Sequence, residues 1–525
     1  LIRRRFIHGV GLAALGAAAM PEFVACGSSQ ARERERIAIV GAGIAGLVTA
    51  MHLRDAGIDA TVYESSSRVG GRMHSERTYW DQGQHTEWCG AMVDSTHVNI
   101  HRLARRFGLG LLDTHAARPP GARDTCYLDG RYYSMAAADA DFARIYPTLQ
   151  SQLGQLSSAT TYANATPMAR QLDAMSMRDW IERHVPGGLG SQLGRLIKES
   201  YRNEYGREIE ELSAVNLVAQ LGQQHHYAQN RQMNVLGYSD QRYILAQGSQ
   251  SLPEAIAASL PPGSILFDRS LTALRRLRSG TYELRFERGA ADESVYADRV
   301  VLAIPFVVLR SLDFSSAGFD SAKVNAIQNL GYGYHTKLHL QFDRRAWMRA
   351  THPWPEPTTG QIWTTLRVQS ALDYSLGQSG PDGLIEVFTA AGPAMADAPA
   401  VPYANIADSH AVERHVRRFF DQLNRIWPDV SPAWNGKATF GNAQADPNIR
   451  ASYSCWLVGQ CTTIAGHEAR AQGRVHFAGE HTSVENQGFM EGGADSGFRA
   501  AGEILADYRI AAKHPLTQRR TGISA

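Results

Sequence analysis

Arg36-Ile-Ala-Ile-Val40, Gly41-Ala-Gly43-Ile-Ala-Gly46, Ala60-Thr-Val-Tyr-Glu64 and Arg68-Val-Gly70-Gly71-Arg72 follow one another between positions 36 and 72. They read as a buried strand, a phosphate-cradling turn that opens a helix, a second strand ending in an acid, and a second glycine pair. Gly41 lets the chain turn tightly, Gly43 lets backbone approach a pyrophosphate, and Gly46 lets the helix pack closely on the strand. Phosphates then sit at a helix N-terminus, where unpaired N–H groups and the positive end of the dipole favour negative charge. Glu64 follows Gly46 by 18 residues, near the spacing of about 20 expected of a carboxylate that hydrogen-bonds an adenosine ribose. An acid there disfavours a 2′-phosphate, so the site is not shaped for NADP. The expected fold class is α/β, with a Rossmann-like dinucleotide domain.

The run Glu64-Ser-Ser-Ser-Arg68-Val-Gly70-Gly71-Arg72 resembles the extended fingerprint of the flavin amine oxidases, a family that includes the monoamine and polyamine oxidases and is related to the L-amino-acid oxidases. The resemblance implies FAD, with Gly71 against the dinucleotide and Arg72 on its pyrophosphate. Glu87-Trp-Cys-Gly90-Ala91-Met92 is similar to the family loop that lies along the flavin ring, and small residues there permit close backbone approach. Phe267-Asp-Arg-Ser-Leu271-Thr-Ala-Leu resembles a segment that meets adenine, which assigns that contact to Leu271 or leaves Leu271 as core packing. Gly473-Arg-Val-His-Phe-Ala-Gly479-Glu480 and the run from Gly488-Phe489-Met490 onward resemble the family's C-terminal signature. By that likeness Gly479 and Glu480 serve the ribityl chain or phosphate. The last helix, opening at Met490, turns its N-terminus to the flavin pyrimidine, where its dipole stabilises the charge of the reduced ring.

Lys337, in Gly331-Tyr-Gly-Tyr-His-Thr-Lys337-Leu-His-Leu-Gln-Phe342, matches the family lysine that holds a water near flavin N5, and is the candidate catalytic residue. Its ammonium would orient water for imine hydrolysis or oxidant reduction. Ser452-Tyr-Ser-Cys-Trp456-Leu-Val-Gly-Gln460-Cys461 resembles the segment before the final FAD strand, where some members bind flavin through a cysteine beside an aromatic cage residue. Aligned through Cys455-Trp456, the anchor position is Gln460 and FAD is held non-covalently; shifted by one, Cys461 becomes the anchor. The first alignment puts Cys461 and Phe489 at the two cage positions, with Trp456 as a further wall or a core aromatic.

The whole chain fits this reading. With 525 residues it is long enough for two or three domains, and its net charge of +2 gives no reason to expect nucleic acid or an anionic membrane as partner. The FAD signals return in three pieces, 36–100, 245–330 and 436–510. The intervening 101–244, mostly helical with helices expected from His101 to Phe107, Met177 to His184 and Leu193 to Glu199, and 331–435, opening on a strand at Thr336, are assigned to a substrate domain. A mixed sheet roofed by helices over the flavin is the arrangement that the resemblance implies. Residues 1–30 contain Arg3-Arg4-Arg5-Phe6-Ile7 and an apolar stretch from Val10 to Met20, too short to span a bilayer, and resemble a twin-arginine export signal to the periplasm. Cys26 weakly resembles a lipoprotein site, and 511–525 is a tail. The cysteines show no metal-like spacing, the adjacent His225-His226 cannot share one helix face, and no metal or integral membrane span is expected.

The implied activity is FAD-dependent oxidation of a primary or secondary amine to an imine and then an aldehyde, by hydride transfer to flavin N5. Dioxygen or another electron acceptor reoxidises the flavin, dioxygen giving hydrogen peroxide. An L-amino-acid oxidase is the alternative within enzymes. It needs a cation for the substrate carboxylate, for which Arg202, Arg207 and Arg242 are available. A non-catalytic flavoprotein or binding subunit is the alternative outside them. Oligomeric state is left open.

Overall fold

The structure, a computed structural model, describes residues 35–508 except 225, 290, 349–356, 397, 399–400 and 429. The export-type segment, Cys26 and the tail lie outside the described residues. Ile37–Val40 is the middle strand of a five-stranded parallel sheet whose order is Val475–Phe477, Arg299–Leu302, Ile37–Val40, Thr61–Tyr63, Ile265–Leu266. All four of its residues are buried because both faces are covered. Ile37 and Ile39 pack against helices Ile44–Asp55 and Met490–Asp507. Ala38 and Val40 face Tyr282, Leu284 and Phe286 of a three-stranded antiparallel sheet. Successive side chains pointing to opposite faces explain this division.

An eight-stranded mixed sheet forms the second layer system. Its order is Tyr403–Asn405, Trp434–Gly441, His335–Phe342, Gly383–Ala390, Ser370–Asp373, Thr358–Thr364, Arg123–Leu128, Arg131–Tyr133. Strand His335–Phe342 is buried throughout. Leu338, Leu340 and Phe342 pack with Val416, Phe420 and Leu423 of helix His410–Ile426. The alternate residues His335, Lys337, His339 and Gln341 therefore point to the opposite side. Helices Met135–Leu153, Met177–His184, Gln192–Tyr205 and Ala214–Leu221 pack together around Phe142, Trp180, Leu196 and Leu217.

Two boundaries expected from the sequence fall inside elements. Position 101 lies within helix Val98–Arg106, whose Ile100, Leu103 and Ala104 join the core of the dinucleotide sheet. The division at 435/436 cuts strand Trp434–Gly441, which pairs with His335–Phe342 in the large sheet. Helix Gln192–Tyr205 also runs further than Glu199, with Ser191 capping its start and Gly206, at φ +68°, closing its end.

Candidate active site

Four of the five parallel strands lead into Gly41, Glu64, Ala303 and Gly479, and these four residues line a cavity of about 820 Å³. A cavity at the carboxyl ends of such strands is where doubly wound sheets bind ligands. Gly41 sits at φ +102°, and a Cβ there would lie 2.7 Å from the Ala303 carbonyl oxygen. At Gly46 a Cβ would lie 2.0 Å from the Gly41 carbonyl oxygen, so this glycine serves helix–strand contact and does not line the cavity. Gly43 differs. It lines the cavity, caps the helix N-terminus, and a Cβ there would meet nothing closer than the Gly70 carbonyl at 4.0 Å. That open approach at a helix start suits a pyrophosphate.

Glu64 accepts hydrogen bonds from the Ala42 N–H at 2.7 Å and from the Ser66 N–H at 2.9 Å, which fixes its carboxylate beside the turn. Gly71 and Arg72 also line the cavity. Arg72 donates to the Ser452 carbonyl at 2.8 Å and pairs with Glu480 at 2.7 Å. Glu480 further accepts from Ser454 Oγ at 2.7 Å and from the Gly488 N–H at 2.8 Å. Burial works against its charge, yet Arg72, His481 and these donors outweigh it and hold Glu480 below the usual carboxylate range. Glu480 thus ties Arg72, the Ser452–Ser454 segment and the entry to the last helix at one point.

Gly90, Ala91, Met92, Leu271, Gly479, Phe489 and Met490 all line the same cavity. Gly90 lies under Met490, whose Cγ and Sδ would be 3.1 Å from an added Cβ. The loop bearing Gly90 is anchored by Glu87, which accepts from Ser75 Oγ at 2.7 Å and Ser249 Oγ at 2.6 Å. Burial pushes Glu87 up to about 7.

Lys337 lines the cavity and is only 7% exposed. Its Nζ donates to Glu386 Oε2 at 3.1 Å, and His339 Nε2 reaches the same oxygen at 3.1 Å. Glu386 sits opposite His339 on the adjacent strand, one alternate position from Lys337. Burial opposes its charge, but Lys337 and His339 prevail and keep it below the ordinary range. Beside them, His335 stacks between Phe388, at 4.5 Å and 3°, and Tyr453, at 4.9 Å and 24°. Burial pushes His335 down to about 3, so it is neutral. Its Nε2 bonds the Asn203 carbonyl at 2.7 Å. Phe489 meets His97 edge-on at 5.1 Å and lies 6.3 Å from Tyr238.

Trp456 and Cys461 are not brought to the cavity, which corrects their assignment as pocket residues. Ser454–Cys455 forms a short strand with Gly331–Tyr332, and the chain beyond it turns into the helical block. The Trp456 carbonyl accepts from Asn216 Nδ2 at 2.8 Å, and its ring packs between two cores. Cys461 is buried with Asp173 and Ser213. Gln460 bonds the Gly331 N–H and the Asn329 carbonyl. The segment reaches the cavity through Ser452, Tyr453 and Ser454 instead. Cavity contact in this segment thus lies ahead of both expected anchor positions, Gln460 and Cys461. Tyr453, between two serines, packs against Gly488, which leaves room for its ring, 3.2 Å from an added Cβ.

Sequence reading also missed Glu386, His335, Phe388 and the acids Glu204 and Asp94, all of which line the cavity. Arg202, Arg207 and Arg242 do not line it. They pair with Glu199 at 2.6 Å, Glu211 at 2.7 Å and Asp113 at 2.7 Å. Among the described residues no group of three His, Cys, Asp or Glu side chains could hold a metal ion, and no helix is long and apolar enough to cross a membrane.

The sequence profile described as "flavin containing amine oxidoreductase" matches residues 44–505. Polyamine oxidase 4 of Oryza sativa subsp. japonica is 24% identical over 89% of this chain and 88% of its own length. An L-amino-acid oxidase of Siganus canaliculatus is 25% identical over 89% and 85%. Among solved structures, the cyclohexylamine oxidase from Brevibacterium oxydans IH-35A superposes with a TM-score of 0.75 at 17% identity, covering 91% of this chain and all of that one.

Proposed function

This chain belongs to the flavin-containing amine oxidoreductase family and uses FAD to oxidise amines, and from that premise we propose how its own residues divide the work. One observation carries the reading: a single cavity runs from Gly43, Gly71 and Arg72 to Lys337, Tyr453 and Phe489. The cradle fits the dinucleotide, because Gly43 leaves open space at a helix N-terminus and Arg72 supplies positive charge to a pyrophosphate. When bound there, FAD supplies the acceptor for the hydride of the substrate α-carbon and passes the electrons on to dioxygen.

The chain must present a neutral amine, because an ammonium nitrogen holds no lone pair to assist hydride loss. Tyr453, Phe388 and Phe489 line the chamber with aromatic surface, and desolvation by such walls disfavours the charged amine. Lys337, fixed by Glu386, is the group that orients water for hydrolysis of the product imine or for reduction of the oxidant. Cys89 is the one described cysteine on the cavity wall, and neither Cys455 nor Cys461 reaches it, which supports non-covalent attachment of the cofactor. The arginine-rich start supports export to the periplasm.

An amine is favoured over an L-amino acid because Arg202, Arg207 and Arg242 pair with acids off the cavity wall and Lys337 holds Glu386 on it, whereas Arg450, also on the wall, donates to the Pro447 carbonyl. The test is a peroxide assay of the purified flavoprotein against arylalkylamines, alkylamines, diamines and L-amino acids. Peroxide from amines is expected. Peroxide from L-amino acids alone would replace this reading with the alternative.

A further inference from the structure

Behind Lys337, strand His335–Phe342 carries a second titratable side chain. His339 is 0% exposed, with Trp80 and Trp88 edge-on to its ring at 6.4 and 6.5 Å. Both ring nitrogens are engaged, Nε2 with Glu386 Oε2 at 3.1 Å and Nδ1 with Thr439 Oγ1 at 3.1 Å. The sheet register makes this arrangement, because Glu386 and Thr439 stand directly opposite His339 on the strands to either side. Lys337 Nζ, one alternate position along, donates to the same oxygen of Glu386. Neither His339 nor Thr439 lines the cavity, whereas Glu386 and Lys337 do.

Burial outweighs Glu386 and holds His339 below the ordinary histidine value of 6.5, so the ring is neutral and carries one N–H. The ionised carboxylate of Glu386 can only accept, which puts that proton on Nε2 and leaves Nδ1 to accept from the Thr439 hydroxyl. The hydrogen bonds therefore run one way, from Thr439 through His339 to Glu386, where Lys337 meets them. Glu87, Cys89 and His335 also lie in the field of Lys337, Tyr374 in that of Glu386 and Glu76 in that of His339, but none of these five hydrogen-bonds to the three. A buried ammonium holds its proton best while its counter-ion stays ionised.

We propose that His339 and Thr439 are positioning residues for Lys337: the imidazole N–H, its tautomer set by Thr439, keeps Glu386 ionised and turned to Lys337, and so keeps an ammonium at the cavity wall. This rests on the assignment of Lys337 as the group that meets water or the oxidant. Dioxygen takes two electrons and two protons from the reduced flavin and leaves as hydrogen peroxide. Negative charge grows on oxygen in that step, and a fixed ammonium favours it.

The test photoreduces the flavin of the holoenzyme, so that no amine is needed, and follows its reoxidation by dioxygen from pH ~6 to ~9. The parent is compared with His339→Asn, whose amide is too short to reach Glu386, and with His339→Gln, whose amide nitrogen can stand where Nε2 does. Reoxidation of His339→Asn should be slower than the parent's by about tenfold at pH ~9 and by less at pH ~6, and His339→Gln should recover most of the rate. In a Lys337→Met background the same substitutions should change nothing. An unaltered rate in His339→Asn, or an equal loss in the Lys337→Met background, overturns the inference and leaves amine oxidation standing; failure of every amine to reduce the flavin would overturn the amine oxidase reading instead. Urea unfolding of parent and His339→Asn at matched flavin content gives a readout apart from turnover. Between pH ~7 and ~5 the unfolded chain takes up a proton that the folded, neutral His339 refuses, so the parent's stability advantage should shrink as pH falls. An advantage that stays constant or grows would make His339 an imidazolium and overturn the inference.

Discussion

At the scale of single residues, Gly43 and Gly46 belong to one fingerprint but do different things. A side chain at Gly46 collides with backbone at 2.0 Å, whereas one at Gly43 enters open space claimed by the cofactor. Gly43→Val should therefore fold, with a melting temperature like that of the flavin-free parent, yet purify colourless; a yellow Gly43→Val protein would remove the cradle from this position. Lys337→Met removes the water-orienting ammonium and leaves Glu386 without its strand neighbour, and peroxide turnover should drop by about 10²-fold or more. Unchanged turnover would end that assignment. Asp94 shows the cost of a buried charge. Burial first, then Asp240 and Glu204, push its carboxyl up to about 7, while Gln241 and Ser239 oppose. With the folded value above the unfolded one, the parent loses stability as pH rises from the ordinary aspartate range through about 7. Substrate-free Asp94→Asn, still facing His97, Tyr238 and Glu204, should gain in melting temperature over the parent between pH ~5 and ~8. An equal difference at both pH values would contradict the assignment. Lys337 was legible because its local motif is distinctive. Glu386 was not, because it meets Lys337 only through the register of a strand 49 residues away.

Among the elements, the last helix does most to hold the site, and its small residues set its distance. A Cβ at Gly497 would lie 2.5 Å from the Ala45 carbonyl oxygen and one at Gly493 would lie 2.7 Å from Ile44 Cγ2. Gly492, Gly493, Ala494 and Gly497 stand close together along the chain, so that stripe is local. The sequence did not show why helix Val98–Arg106 begins three residues before the expected His101. Its cap residue His97 makes no side-chain capping bond; Glu491 of the last helix supplies the acceptors, at 2.9 Å from the Asn99 and Ile100 N–H groups. A cap delivered from nearly 400 positions along the chain leaves no local pattern to read. Glu491→Ala should destabilise the protein by about 1–2 kcal/mol, measured by urea unfolding of the holoprotein. A change below about 0.3 kcal/mol would mean that water replaces these bonds without loss.

For the molecule as a whole, the dinucleotide sheet collects strands from positions 37–63, 265–302 and 475–477, and the cavity opens where their ends meet the cavity-facing side of strand His335–Phe342. Glycines and acids at strand ends made the sheet legible, since each motif is local. The chamber was less so. Its walls come from Glu204, Tyr453 and Phe388, which pairing across distant strands and helices brings together, so the segment expected to reach the cavity at Trp456 and Cys461 reaches it at Tyr453. Because Cys455 and Cys461 lie away from the cavity, acid denaturation should release the flavin to the supernatant; colour remaining with the precipitate would point to Cys89, the described cysteine on the wall. The most direct measurement of the whole reading is anaerobic mixing of the yellow protein with a panel of amines while following the flavin absorbance. Bleaching by about one equivalent, reversed by admitting air with release of peroxide, is the predicted result. An absorbance that no amine alters would contradict the claim that this cavity joins a flavin to an amine.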